Sequence, residues 1–181
     1  MNAPKTEGAP EPRASDLLDR IRAALAHRIL DPRLFEECAC ALLTEIYPTL
    51  TPVTGGKDFG RDADIPGRDG PPMRVVITTA RDVRRNLRDS LSQLRRKGLG
   101  VREVIVATSR SLDADARRKL EETAGKAGAH LFVVYDRTRL AHMLCRDAVW
   151  RKRLIGVTGE PSALVSWPLD LADQTWGCLT S

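Results

Sequence analysis

The sequence predicts an α/β domain: a mixed central sheet, made of a β-meander followed by a βαβαβ run, flanked by helices on both faces. Three observations carry this. Two stretches with apolar residues at helical spacing open the chain, short strand-like runs separated by glycine-rich turns follow, and apolar strands alternate with helices in the second half. Strands joined through helices favour parallel pairing, because the crossover helices cover both faces of the sheet. A length of 181 residues, with 42% hydrophobic and 29% charged residues, suits one globular domain with tails.

The elements follow in order. Residues 1–13, rich in Pro, Ala and Glu, read as a disordered tail. From Ser15, an N-cap residue type, Leu17, Leu18, Ile21, Leu25 and Ile29 recur at helical spacing. Asp31-Pro32 then combines an N-cap with a proline suited to the first helical position, predicting a second helix to about residue 47. Its apolar face is Phe35, Cys38, Leu42 and Ile46, and Pro48 ends it. Strands are expected at 49–54, 61–66 and 73–79, separated by the glycine loop 55–60 and the turn 67–72. A helix over 82–97 buries Val83, Leu87, Leu91 and Leu94 and stops at Gly98. A strand at 104–107, a helix at 113–126, a strand at 131–135 and a helix over 138–154 complete a domain of residues 14–156. Residues 157–181, which hold two prolines and no basic residue, read as a linker or a docked tail.

No apolar run approaches the roughly 20 residues of a membrane span, and the N-terminus lacks the apolar core of a secretory signal, so a cytoplasmic location is expected. Four cysteines and three histidines are scattered without zinc-ligand spacing, as expected of reduced thiols. The net charge of +5 permits a polyanionic partner, and its distribution matters more: residues 74–97 hold eight basic residues against two aspartates.

The stretch GGKDFGRDADIPGRDGPPMRVVITTARD, residues 55–82, sets a glycine-flanked run of aspartates before two strand-like segments. A calcium loop starting at Asp58 would need an oxygen donor at Gly60, and one starting at Asp62 would need a glutamate at Met73. A phosphate-binding loop fails because Lys57 is followed by Asp58. With the preceding helix that carries Phe35-Glu36, and the order of elements over residues 31–136, the stretch resembles the Mrr-like restriction endonuclease domain of the PD-(D/E)xK nuclease superfamily.

That resemblance implies a restriction-endonuclease-like sheet and a Mg²⁺ site for duplex DNA cleavage. Asp62 would be the metal-binding carboxylate at the start of the second strand, and Glu36 the helix glutamate that approaches it. The acid-or-Gln, any residue, Lys tripeptide falls on Ile77, Thr78 and Thr79, so two motif positions are vestigial. Lys57, in the glycine loop, is the candidate for a relocated catalytic lysine. The expected catalytic set is therefore Asp62, Glu36 and Lys57, with Asp62 on the metal and an eroded centre overall.

Projected at 100° per residue, Arg81, Arg84, Arg85, Arg88, Arg95 and Arg96 fall on one side of the helix over 82–97. Arg81, Arg84, Arg85, Arg88 and Arg95 are the expected contacts to duplex DNA phosphates, weak and indifferent to sequence. Aromatic content of 4% argues against stacking on single strands. The alternative is a protein-interaction or effector module at the front of a larger prokaryotic defence or signalling NTPase, with the arginines facing a partner domain. A homodimer is compatible with either.

Overall fold

The computed structural model describes residues 14–53, 62–67 and 70–160. Lys57 and the glycine loop, the segment 1–13 and the segment 161–181 lie outside the described residues.

Helix α1 (Ala14–His27) buries Leu17, Ile21 and Leu25. Ser15 lies inside it and so is not its cap, and the expected core position Ile29 falls two residues beyond its end, fully exposed. Helix α2 (Pro32–Thr44) starts as expected, with the Asp31 carboxylate accepting the Leu34 N–H at 2.7 Å. It stops three residues early. The N–H groups of Ile46 and Tyr47 both return to the Leu43 carbonyl, at 3.0 and 2.8 Å, and this tight turn puts Ile46 at the surface.

Five strands form one sheet in the order β1 (Thr51–Pro52), β2 (Ala63–Ile65), β3 (Met73–Thr78), β4 (Glu103–Thr108) and β5 (His130–Tyr135). The first two pairings are antiparallel and the last two parallel, the meander and βαβαβ order expected. Strands β1 and β2 are shorter than predicted. Pro52 has no N–H to offer the ladder and occupies the exposed edge, where a proline is tolerated.

Side chains alternate along β3 and β4 between two cores. Val75, Ile77, Ile105 and Ala107 join α1, α2 and the C-terminal helices, while Val76, Val104 and Val106 join α3 (Val83–Arg96) and α4 (Ala114–Lys126). Helix α3 buries Val83, Leu87, Leu91 and Leu94 as predicted, with Ser90 buried among them, and Gly98 follows it at φ 68°, a conformation that glycine adopts without strain.

Where one last helix was expected there are two, α5 (Arg137–Arg146) and α6 (Ala148–Ile155). Asp147 divides them. Its N–H closes α5 on the Met143 carbonyl at 3.2 Å, and its carboxylate opens α6 by accepting the Trp150 N–H at 2.8 Å.

The ends of the parallel strands are laced together by arginines. Arg110, after β4, donates to the carbonyls of Thr79 (2.9 Å) and Ala80 (3.3 Å) beyond β3, and Arg137, after β5, donates to Ser109 O (3.0 Å) beyond β4. Arg151 plays a similar part for the C-terminal segment. It is 1% exposed, and it donates to Leu144 O (2.9 Å) and Cys145 O (2.8 Å) at the end of α5, to Val157 O (3.3 Å) and to Gly159 O. The last carbonyls of a helix have no partner within it and carry the negative end of its dipole, so a guanidinium there satisfies both.

Arg151→Ala should therefore destabilise the fold by about 3 kcal/mol, since it leaves several buried carbonyls unsatisfied. Arg151→Lys should recover part of the loss, because a point charge reaches fewer carbonyls. Urea denaturation midpoints measure both.

Candidate functional site

Asp62 stands immediately before β2, between β1 and β3. Its N–H donates to Val75 O at 3.0 Å and its carbonyl accepts the Val53 N–H at 2.9 Å. Its Oδ2 accepts the main-chain N–H of Ile77. The carboxylate thus lies beside the strand that carries the tripeptide positions.

Glu36 projects from the first half of α2. It and Asp62 both act on the Cys40 thiol, which burial first, then Glu36, then Asp62 push up to about 12. Glu36 lies on the helix whose apolar face packs in the same core as Ile77. Cys38, raised to about 12 chiefly by burial, sits on the same helix. These thiols remain protonated near neutral pH and are poor nucleophiles.

The remaining motif positions supply no ligand. Ile77 is buried in the core of α1 and α2, and its aliphatic side chain has no donor atom for a hard cation. Thr79 falls one residue past β3, with its carbonyl taken up by Arg110 at 2.9 Å. Among the described residues, no group of three or more His, Cys, Asp or Glu comes together to hold a metal ion. The described donor set does not fit Mg²⁺, which demands near-octahedral oxygen coordination.

One feature of this face has no local signal in the sequence. The chain's two tyrosines, 88 positions apart, meet with hydroxyls 3.1 Å apart and rings edge to face. Burial raises both, and the Arg139 guanidinium lies 5.7 Å from the centre of the Tyr135 ring. Only the packing of α2 against the sheet brings them together.

The arginines lie on the other layer. Arg81, Arg84, Arg85, Arg88, Arg95 and Arg96 are all exposed, whereas Arg74, part of the same basic run, is buried and paired with Asp64 at 2.6 Å. Asp89 pairs with Arg88 at 3.0 Å and Arg85 at 3.7 Å. A groove of about 450 Å³ runs between α3 and α4, with Arg84, Arg85, Arg88 and Arg95 on one wall and Thr123 and Lys126 on the other. Arg84 Nε donates to Thr123 Oγ1 at 3.2 Å across it. Arg81 and Arg96 do not line it. Lys126 and Thr123 were not legible as site residues, because they belong to a helix far along the chain.

No protein-family model matches the chain, and no curated protein matches its sequence at a significant level. Among the described residues no helix is long and apolar enough to cross a membrane.

The buried thiols set an alkaline limit on stability. An unfolded Cys40 loses its proton near its ordinary 9.0, while the folded thiol holds it to about 12. Between those values the unfolded state binds fewer protons, so stability falls as pH rises and is fully present below about pH 9. Urea midpoints should be level up to that pH and decline above it. Cys40→Ala should flatten part of the decline.

Proposed function

We propose that this chain is a nuclease-fold module that associates with duplex DNA and whose metal position has eroded. The reading rests on the Mrr-like resemblance, and one observation carries it. Asp62, the motif carboxylate, stands beside β3 with its Oδ2 held by the Ile77 N–H, while the Ile77 side chain is part of the core where a second acid would face the metal.

The chemistry explains the consequence. Phosphodiester hydrolysis at such a centre needs a divalent cation in an oxygen cage and a group that orients or deprotonates the attacking water. A threonine hydroxyl is no base near neutral pH, and arginine stays protonated. What remains is backbone binding by exposed guanidinium groups. Such contacts position a duplex without reading its sequence, and they weaken as salt rises because binding releases counterions.

Plasmid nicking with Mg²⁺ or Mn²⁺ tests the erosion. The unmodified protein should leave the plasmid intact, and Ile77→Glu with Thr79→Lys should introduce slow, metal-dependent nicking if the variant folds by circular dichroism. Cutting by the unmodified protein that disappears in Lys57→Ala or Asp62→Ala would overturn the reading in favour of a relocated lysine.

Duplex binding is tested separately. Arg85→Glu combined with Arg88→Glu should weaken binding to unrelated duplexes alike, by about tenfold or more at moderate salt. Binding that ignores salt, or that survives the double reversal, would leave the arginine face to a partner protein domain.

A further inference from the structure

We propose that the groove between α3 and α4 seats one phosphodiester strand of a DNA duplex, with Lys126 of α4 as a phosphate contact opposite the arginines. This rests on the duplex-binding reading and says where the duplex lies: in the α3–α4 layer, separated by the sheet from Ile77 and α2.

The first support is shape with charge. The arginines of α3 form one wall of a concave channel, and α4 adds the Lys126 cation to the other. Among the described residues, no carboxylate pairs with Arg84, Arg95 or Lys126, while Arg85 and Arg88 share the single Asp89. Asp82 also lines the groove, but its Oδ1 accepts the Arg85 N–H at 2.8 Å as the cap of α3. The excess of positive charge is therefore concentrated between the helices.

Length is the second support. Arg84 and Arg95 are eleven positions apart on one helix, which is about 16 Å of axis. That equals the axial rise of about five phosphates on one strand. Arg84 is also braced at Nε by Thr123, so less side-chain freedom is lost when it meets a phosphate.

The third support is the division of layers. Helices α3 and α4 pack on Val76, Val104 and Val106, whereas Ile77 and α2, which carries Glu36, belong to the core on the opposite face. A duplex held in the groove has the sheet between it and the α2 layer that holds Ile77.

Fluorescence anisotropy of a labelled duplex, titrated at several salt concentrations, tests the placement. Lys126→Ala should lower the slope of log affinity against log salt by about 0.9 and weaken binding several-fold regardless of sequence. Arg96→Ala, on the same basic helix but outside the groove, should change the slope far less, and Arg33→Ala, on α2 across the sheet, should leave it unchanged. If Lys126→Ala behaves like Arg96→Ala, or Arg33→Ala weakens binding as much as Lys126→Ala, the groove is not the seat, although duplex binding stands. If the unmodified protein binds no duplex even at low salt, the duplex reading itself fails and this placement fails with it.

Discussion

Strand β3 is hydrogen-bonded on both edges and covered on both faces, and the rest of the structure is arranged around that constraint. A strand so placed must be apolar throughout its middle, since each residue enters one core or the other. Val75 and Ile77 enter the core of α1 and α2, and Val76 enters the core of α3. An acid at 77 would have to hold a charge against the α2 core, which is costly without a metal or partner to compensate it. Isoleucine suits the packing. The same residue that removes a metal ligand from the resemblance therefore strengthens the sheet.

The constraint also sorts the polar chemistry. On the α2 layer the polar groups are enclosed: two thiols raised to about 12 and a hydrogen-bonded tyrosine pair. On the α3–α4 layer they are open, with arginines and a lysine around a groove. Burial takes reactivity from the first set, and exposure leaves the second its long-range field. An exposed basic groove and a set of enclosed polar groups can then coexist without interfering.

Arginine serves two purposes in this chain, and only context separates them. Arg110, Arg137 and Arg151 donate to main-chain carbonyls and tie strand and helix ends together, while Arg74 is buried against Asp64. Arg84, Arg88 and Arg95 face a groove. A count of basic residues treats them alike. The planar guanidinium, with five donors in fixed directions, suits either carbonyl clusters or phosphates, and which one it meets depends on what the fold brings within reach.

The sequence by itself determined the order of elements as far as β5, the mixed pairing of the sheet, the starts of α2 and α3, and the apolar face of α3. These follow from local signals: side-chain period, a proline after a capping aspartate, a glycine stop. It also placed Asp62 beside the strand of Ile77, because a short hairpin leaves few alternatives for register. Local signals misled at the ends, where Ile29 and Ile46 continued a periodicity that the backbone had already left, and at Asp147, where a one-residue break did not disturb the apolar spacing. Only the tertiary structure decided that Arg74 is a core residue, that two tyrosines 88 positions apart share a hydrogen bond, and that Lys126 faces the arginines of α3. Each of those depends on contacts between segments distant in the chain, and no local pattern encodes a distance that only packing creates.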